Sequence, residues 1–502
     1  MIAILTTAIL AGACYGLYSE GAFGERTAFV SLTLLLLGFL AVAVVRVRQV
    51  HPQRWVLNPV VWGSFMTFVM SYGATNFLFF IFPDQLDLVG YVPEITASMV
   101  KHMGLVLVAA LAMWSGYWSP IAKSLTGENR IARFQARLLP RTQHLRRFAL
   151  PAIVVVATGS RLLQVQLGVF GYSATSYERL IEAGAYTQYL AMGSSLGKAS
   201  LLLAALVFFS EKPNSRADMA WFYGLIGLEI GWGLLSGFKG QAVTPIIIIA
   251  ICQYLVTSRF DKKWLVYFAI MYSVAFAIIQ PFRSARNADQ NFTGTSIEEI
   301  VTTMKGAQDL NLQSSSDAVP FALSIASRSN LTWIGSFGLE FADSGLTSAD
   351  APKFLENIIM APLHAWIPRF IWNDKPLSNI GLWYNQVVMG MSHFSSTGMG
   401  PVTYLYFAGG GIAVFFGFFL VGCMQRVLFF LLQPWRTIPG ACVFFGMASA
   451  VTLIDSAFDS MIVSFFRDIP IYLVAMFLIF KSGRGPTSIS PVKGAFDGYG
   501  GT

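Results

Sequence analysis

Long apolar runs recur from one end of this 502-residue chain to the other, for example at 29–45, 243–255 and 402–421. A helix needs about 20 mainly apolar residues to cross the hydrocarbon core of a bilayer. Only 12% of the residues are charged, whereas a soluble domain carries about 25%. The sequence therefore predicts an all-α polytopic membrane protein.

Hydropathy predicts about twelve transmembrane helices and, between the ninth and the tenth, one long polar segment. The first run is interpreted as a helix rather than a cleaved signal, because it lacks a basic leading region. The predicted spans are 2–18, 27–45, 59–81, 102–119, 149–167, 189–210, 219–236, 242–257, 264–280, 401–422, 438–456 and 469–481. The organisation is thus nine spans in 1–280, a large loop in 281–400, three spans in 401–481 and a disordered tail in 482–502.

Basic residues predict the orientation of these helices. The net charge is +8, and Lys and Arg concentrate in the connections around 46–54, 123–147, 259–263 and 426–436 and in the tail. Such connections stay on the cytoplasmic side, so both termini are predicted to be cytoplasmic and the 281–400 loop external. The positive charge is explained by topology, and no nucleic-acid partner is predicted.

The 281–400 segment is too long for a passive connector. Thr295 and Ser296 precede Glu298 and Glu299, which is typical of a capped helix start. The stretches 318–341 and 351–372 are also predicted to be helical, and their apolar content predicts that the loop packs on the bilayer.

The cysteines and the charged residues inside the apolar runs limit which kinds of site the protein can contain. The four cysteines fall in apolar runs without a CxxC pair, so neither a zinc site nor a disulfide framework is predicted. Lys198 and Glu229 lie at similar predicted depths, and charged groups inside a membrane are usually paired. A Lys198–Glu229 ion pair near the midplane is therefore expected.

Seven cations fall at predicted external ends of helices or in the loop, although basic residues normally collect on the cytoplasmic side of a membrane protein. A cluster of such residues beside a membrane suits a lipid-linked phosphate or diphosphate, because guanidinium groups bind phosphate oxygens with two parallel hydrogen bonds. The candidates are Arg161, Lys239, Arg283, Arg286, Arg328, Arg369 and Lys375.

Four places in the chain resemble the Wzy-type polymerases of O-antigen and exopolysaccharide repeat units. They are Gly159-Ser-Arg161 with the turn at 236–240, Arg328, Pro368-Arg-Phe-Ile-Trp-Asn-Asp-Lys-Pro376, and the Gly- and Tyr-rich stretch from Gly398 to Gly410. The resemblance implies a GT-C-like fold and a glycosyltransferase in the bacterial cytoplasmic membrane. It also implies polyprenyl (undecaprenyl) diphosphate-linked oligosaccharides as donor and acceptor, the bilayer as a partner, and a chain-length regulator protein as a candidate partner.

A diphosphate is a good leaving group, so such a site needs positive charge more than a general acid. The external segments contain no DxD motif, which predicts metal-independent transfer without a cofactor. A base would still help the acceptor hydroxyl. The catalytic candidates are His393, Asp374 and Asp455, with Glu340 and Asp459 as further acids. Many members of the resembled family carry an acid just before the Gly-rich stretch, and the neighbours of Tyr404 supply none.

Three other functions remain open. An O-antigen ligase-type transferase would use the same donor and the same arginines. A flippase or transporter of polyprenyl lipid or polysaccharide would carry polar residues along broken helices. A membrane acyltransferase would need an embedded histidine, and the sequence makes none evident.

Overall fold

In a computed structural model, the described part of the chain is all-helical, with 85% helix and no strand. The structure describes residues 2–52, 54–91, 94–128, 148–173, 184–210, 216–257, 259–288, 292–313, 323, 326–327, 329–345, 351–367, 371–372, 375, 380–391, 397–436, 438–452 and 457–479. The predicted helical class is therefore confirmed.

The first ten helices form the part of the bundle that precedes the long polar segment. They are α1 (Ile2–Ser19), α2 (Glu25–Val50), α3 (Pro59–Ile81), α4 (Ala97–Trp118), α5 (Pro120–Leu125), α6 (Ala149–Gln166), α7 (Gly184–Ser210), α8 (Arg216–Leu235), α9 (Lys239–Thr257) and α10 (Lys263–Ala288).

The polar segment contributes four shorter helices, and three more follow it. They are α11 (Ile297–Gln313), α12 (Leu331–Asp343), α13 (Phe354–Trp366), α14 (Ile380–Trp383, continued by a π-helical turn Tyr384–Val388), α15 (Gly400–Leu432), α16 (Ile438–Thr452) and α17 (Phe458–Ile479).

Nine helices in the described ranges are long and apolar enough to cross a membrane: α1, α2, α3, α4 with α5, α6, α7, α9, α10 and α15. The apolar part of α8, Met219–Leu235, is shorter. A multi-pass membrane protein is thus supported, whereas twelve crossings and the external position of the loop stay predictions.

The outward surfaces of these helices are apolar. Leu34, Val155, Ile270 and Phe416 are all more than half exposed, on four different helices. Exposed apolar surface on this scale marks a contact with a partner or a membrane. A surrounding bilayer accounts for it without any further protein.

Two boundaries differ from the prediction because polar residues lower local hydropathy without ending a helix. α10 continues through Pro281 to Ala288, so Arg283 and Arg286 lie on the helix rather than after it. α17 begins at Phe458 instead of 469, which places Asp459, Arg467 and Asp468 on one helix rather than in a loop.

The centre of the bundle is the parallel pair α4 and α15, which pack backbone to backbone. A Cβ on Gly116 would collide with the carbonyl of Phe419, and one on Gly422 would collide with that of Met113. Glycine at both positions allows the close approach that small residues give membrane helices.

α15 is broken at Gly409 and Gly410, whose backbone angles are not helical. Gly410 has φ of +64°, a conformation that disfavours side chains with a Cβ. The first nine residues of α15, 400–408, thus form a separate short helical segment, called the first rod of α15 below.

α12 is wedged against α4 and α15 rather than only resting on the bilayer. Gly335 faces His102 and Thr403, and a Cβ there would collide with both side chains. At the start of α12, the Asn330 amide donates to Asn76 Oδ1 at 3.2 Å inside the bundle. Part of the predicted external loop is therefore built into the helical core.

Candidate functional site

The turn between α8 and α9 is fixed by glycine geometry. Gly237 has φ of +68°, and a Cβ there would lie 2.9 Å from Tyr172 Cβ and 3.0 Å from the Phe282 ring. On its other side, Tyr172 N donates to the Ser236 carbonyl at 2.8 Å. Phe282 on α10 is fully buried, so the turn is held firmly between Tyr172 and α10.

Three predicted cations converge on this turn. Arg283 Nε donates to the Gly237 carbonyl at 2.9 Å, and its guanidinium lies 4.4 Å from the Tyr172 ring centroid. The guanidinium of Arg286 lies 5.4 Å from the same centroid. Both arginines therefore lie within cation–π distance of one aromatic ring.

Lys239 is the first residue of α9, immediately after the turn. Its Nζ donates to Gln280 Oε1 at 3.2 Å and lies 3.6 Å from the Phe276 ring centroid. We call Lys239, Arg283 and Arg286 the cation cluster. The amino-terminal end of α9 adds partial positive charge at the same place, so the arrangement is suited to an anion.

Arg161 does not join the cation cluster in this structure. Its Nη1 lies 2.6 Å from Glu229 Oε1, and its Nη2 lies 2.8 Å from Glu229 Oε2. Arg161 Nη2 also donates to the Ser194 carbonyl at 3.1 Å. Both partners are buried, so the charge of this arginine is balanced inside the bundle.

The expected Lys198–Glu229 pair is therefore corrected to an Arg161–Glu229 pair. Lys198 is close enough to interact electrostatically with both partners and with Asp468. Gly197 makes room for the pair, because a Cβ there would lie 2.5 Å from Arg161 Nη2 and would also collide with Glu229.

Lys375 holds the end of α13 in place. Its Nζ donates to the carbonyls of His364 at 2.5 Å and Ile367 at 3.0 Å, and to Gln188 Oε1 at 3.1 Å. A cation on terminal helix carbonyls is a common cap. Through these bonds, Lys375 links the carboxyl-terminal end of α13 to Gln188 on α7.

An acid lies beside Tyr404, although its sequence neighbours supply none. The buried Tyr404 hydroxyl faces Asn357 and Asp459 without closing an ideal hydrogen bond to either. Asp459 Oδ1 accepts from Ser460 N at 2.7 Å. Sequence reasoning could not find this contact, because α17 and α15 meet only in the fold.

Several candidates lie outside the described residues, namely Arg328, Arg369, Asp374, His393 and Asp455. Their roles stay predictions. Lys239, Arg283 and Arg286 are the members of the predicted diphosphate-binding set that the described structure brings together.

The expectation that no histidine is embedded is wrong. His102 is fully buried on α4, with Nδ1 at 3.0 Å from the Thr332 carbonyl and Nε2 at 3.3 Å from Thr403 Oγ1. The available signal was its position at the start of the predicted span 102–119, which the observed helix extends back to Ala97. With both ring nitrogens engaged, His102 ties α4 to α12 and α15.

A family model with the description "Domain of unknown function (DUF8712)" matches residues 157–432. The match spans Arg161, Glu229, the cation cluster and the first rod of α15. No curated protein and no solved structure matches the chain significantly. Because the matched residues make up more than half of the chain, this protein belongs to the DUF8712 family.

Proposed function

We propose that this protein is a membrane glycosyltransferase that polymerises polyprenyl diphosphate-linked oligosaccharide repeat units. It acts on the outer face of a bacterial cytoplasmic membrane, and the cation cluster binds the diphosphate. The convergence of Lys239, Arg283 and Arg286 around the Gly237 turn carries the proposal.

Charge supports a diphosphate as the bound group. Lys239, Arg283 and Arg286 bring three positive charges to one turn, and an anion with several negative oxygens can bind more than one of them. Arginines can bind such oxygens with paired hydrogen bonds, and the α9 amino terminus can supply backbone donors. The cluster can therefore neutralise a leaving diphosphate in a metal-independent reaction.

In the proposed reaction, an acceptor hydroxyl oxygen attacks the anomeric carbon of the donor sugar. The bond from that carbon to the diphosphate oxygen breaks, and its electron pair leaves with the diphosphate. The hydroxyl proton passes to a carboxylate or histidine. His393, Asp374 and Asp455 stay the candidates for this base, and Asp459 beside Tyr404 is a described alternative.

α13 supports a lipid-linked substrate. Leu355, Ile359, Leu363 and Trp366 are exposed along one side of this helix, while Asn357 and Ala361 are buried on the other. Such a helix lies in the membrane interface. Through Lys375 and Gln188 it is joined to α7, which supports a position of the polar segment at the membrane surface, where a polyprenyl lipid would arrive.

The test supplies polyprenyl diphosphate-linked repeat units to the purified protein in nanodiscs with a chelator. A ladder of longer lipid-linked chains is the expected result. Lys239→Gln and Arg286→Lys should each lower turnover by about tenfold or more, since each loses a contact strengthened as the diphosphate departs.

Lys263→Gln is the matched control. This lysine lies at the opposite end of α10, is more than half exposed and pairs with Asp261 at 2.8 Å. It should polymerise normally. Normal ladders from both cluster variants would remove the cation cluster from the site.

A transporter is the second candidate, and the break in α15 favours it. Transporters use discontinuous helices at their substrate sites. A protein that moves intact lipid-linked units across a liposome membrane, and makes no ladder, would support this function. A ligase would instead join the glycan once to a different lipid acceptor, which the length of the products distinguishes.

A further inference from the structure

A pocket of about 390 Å³ opens between the carboxyl-terminal end of α12, the start of α13, α14 and the first rod of α15. Its size falls within the range of about 300–1,000 Å³ that is typical of small-molecule sites. The lining residues include Phe341, Asp343, Phe354, Trp383, Tyr406 and Phe407.

Five of the eleven lining residues are aromatic, and most of their rings interlock. Phe354 stacks on Phe407, with ring centroids 4.9 Å apart and an interplanar angle of 12°. Trp383 meets the edges of Phe341 at 6.1 Å and Phe407 at 5.8 Å. Rings that brace one another in this way form a rigid apolar surface, which orders a ligand at little entropic cost.

Two of the lining residues, Asp343 and Tyr406, form a closed trio with Lys101, which lies beside them. Lys101 Nζ lies 2.5 Å from Asp343 Oδ2 and donates to the Tyr406 hydroxyl at 2.7 Å, and that hydroxyl donates to Asp343 Oδ1 at 2.7 Å. Both charged side chains keep substantial exposure, 34% for Lys101 and 45% for Asp343. They therefore retain room for hydrogen bonds with a ligand.

The trio is electrically balanced. Partial burial alone would raise the pKa of Asp343, but the hydrogen bonds from Lys101 and Tyr406 hold that pKa below its ordinary range. The carboxylate is therefore ionised at neutral pH, and the adjacent ammonium compensates its charge.

These features select one ligand chemistry. A cationic headgroup or a phosphate would find no unbalanced opposite charge in the trio. An acyl chain would need no hydrogen-bonding groups and would fit better in the larger apolar crevice between α1 and α2, of about 790 Å³. A neutral sugar suits both parts, since its C–H face packs on aromatic rings and its hydroxyls bond to the carboxylate and ammonium.

We propose that the pocket between α12, α13, α14 and α15 binds a neutral sugar ring of the lipid-linked oligosaccharide, with Asp343 and Lys101 bonding its hydroxyls. The identification of the ligand as part of a lipid-linked unit depends on the function proposed above. Binding of the sugar itself does not, because it requires no catalysis.

The probes are free neutral disaccharides, namely maltose, lactose, cellobiose and chitobiose, added to the full-length protein in nanodiscs. Saturation-transfer NMR detects weak binding, and the intrinsic tryptophan fluorescence provides a second signal. At least one disaccharide should bind saturably. Asp343→Asn should weaken that binding about tenfold, because a hydrogen bond to a charged group is lost.

Trp383→Phe keeps an aromatic wall and should shift the fluorescence signal while weakening binding less than Asp343→Asn does. Glu356→Gln is the control, since it removes a carboxylate from an exposed pair with Lys353 on α13. It should bind as the unaltered protein does. Thermal unfolding confirms that each variant is folded.

No saturable binding by any disaccharide, or equal binding by Asp343→Asn, would overturn the sugar site. Saturable binding of tetramethylammonium in competition with the sugar would point to a cation site and would also overturn it. Sugar binding without a polymer ladder would leave the pocket intact and reject the polymerase. A normal ladder from the unaltered protein, with no saturable binding of any disaccharide, would do the reverse.

Discussion

Arg161 on α6 and Glu229 on α8 form a two-pronged ion pair inside the bundle, with N–O distances of 2.6 and 2.8 Å. The Ser194 carbonyl on α7 accepts a further bond from Arg161. Three helices are thus joined through one guanidinium, and Glu229 precedes the turn of the cation cluster by about two helical turns.

Glu229→Gln should destabilise the protein strongly. Removal of one partner leaves Arg161 buried without its counter-charge, with Lys198 nearby, and such losses cost about 3–5 kcal/mol. A clear fall in the thermal unfolding temperature in detergent is the expected measurement. The combined change Arg161→Met with Glu229→Leu should cost less than Glu229→Gln alone, because Arg161 is then no longer buried without its counter-charge.

Glu356→Gln provides the comparison, since the Lys353–Glu356 pair at 3.1 Å is exposed. Exposed pairs contribute about 0–1 kcal/mol. Equal unfolding temperatures for Glu229→Gln and Glu356→Gln would show that the buried pair does not stabilise the bundle.

Gly197→Ala should disrupt the same ion pair by steric means. The new Cβ would meet both Arg161 Nη2 and Glu229 Oε1, so the pair must move apart. Gly227→Ala on α8 is the matched control, because no heavy atom lies within 4 Å of its added Cβ. Alanine favours helices by about 1 kcal/mol over glycine. The unfolding temperature should therefore fall for Gly197→Ala and rise for Gly227→Ala. A higher unfolding temperature for Gly197→Ala would contradict the steric collision with the ion pair.

Lys375→Met should loosen the stretch that follows α13. It removes the three bonds to His364, Ile367 and Gln188 while it preserves the apolar stem. Amide hydrogen exchange at 366–375 should become faster, while exchange in α4 stays unchanged. Gln188→Leu removes one of these bonds and should show a smaller increase in the same segment.

Unchanged exchange in both of these variants would mean that α13 is held by its apolar contacts alone.

The ionised side chain of Glu299 at the start of α11 should make the stability of the fold depend on pH. Burial alone would raise the pKa of this carboxyl, but bonds from Thr293 and Thr295 lower it below its ordinary value of 4.5. Thr293 N donates to Oε1 at 2.6 Å and Thr293 Oγ1 to Oε2 at 2.7 Å. A depressed carboxyl pKa stabilises the fold above the unfolded-state pKa, and this contribution is lost as pH falls through the folded-state pKa.

The unaltered protein should therefore unfold at a higher temperature than Glu299→Gln at neutral pH, and the gap should narrow below pH 4.5. Glu298→Gln, at the exposed neighbouring position, should show little of this gap. A constant gap across the acid range would exclude the ionised cap as its cause.

The sequence predicted the helical segments well where apolar residues dominate. The capped start at Ser296 is confirmed, since Glu299 N donates to Ser296 Oγ at 3.1 Å and α11 begins at Ile297. The start of α17 was missed because three charged residues lower its hydropathy. Two of them, Arg467 and Asp468, pair with each other at 2.9 Å, which reduces their cost inside a helix.

The contacts between side chains were harder to predict from the sequence than the helices were. Predicted depth placed Arg161 at an external helix end and Lys198 near the midplane, so it favoured the wrong partner for Glu229. The actual partner depends on how α6, α7 and α8 rotate about their axes, and Gly197 is what lets them approach. The cation cluster was predictable as a set of charges, but Tyr172, around which its two arginines gather, was not.

The residues that α12 packs against are synthesised at different times, which sets an order for the folding of this part of the chain. Asn330 bonds to Asn76, 254 residues earlier in the chain, and Gly335 lies against His102 on α4 and Thr403 on α15. Asn76 and His102 are synthesised long before α12, whereas Thr403 is synthesised only afterwards. While the ribosome is still making α13 and α14, α12 can dock on α4 alone. The contacts of α12 are therefore completed only after α15 has been synthesised and packs against it.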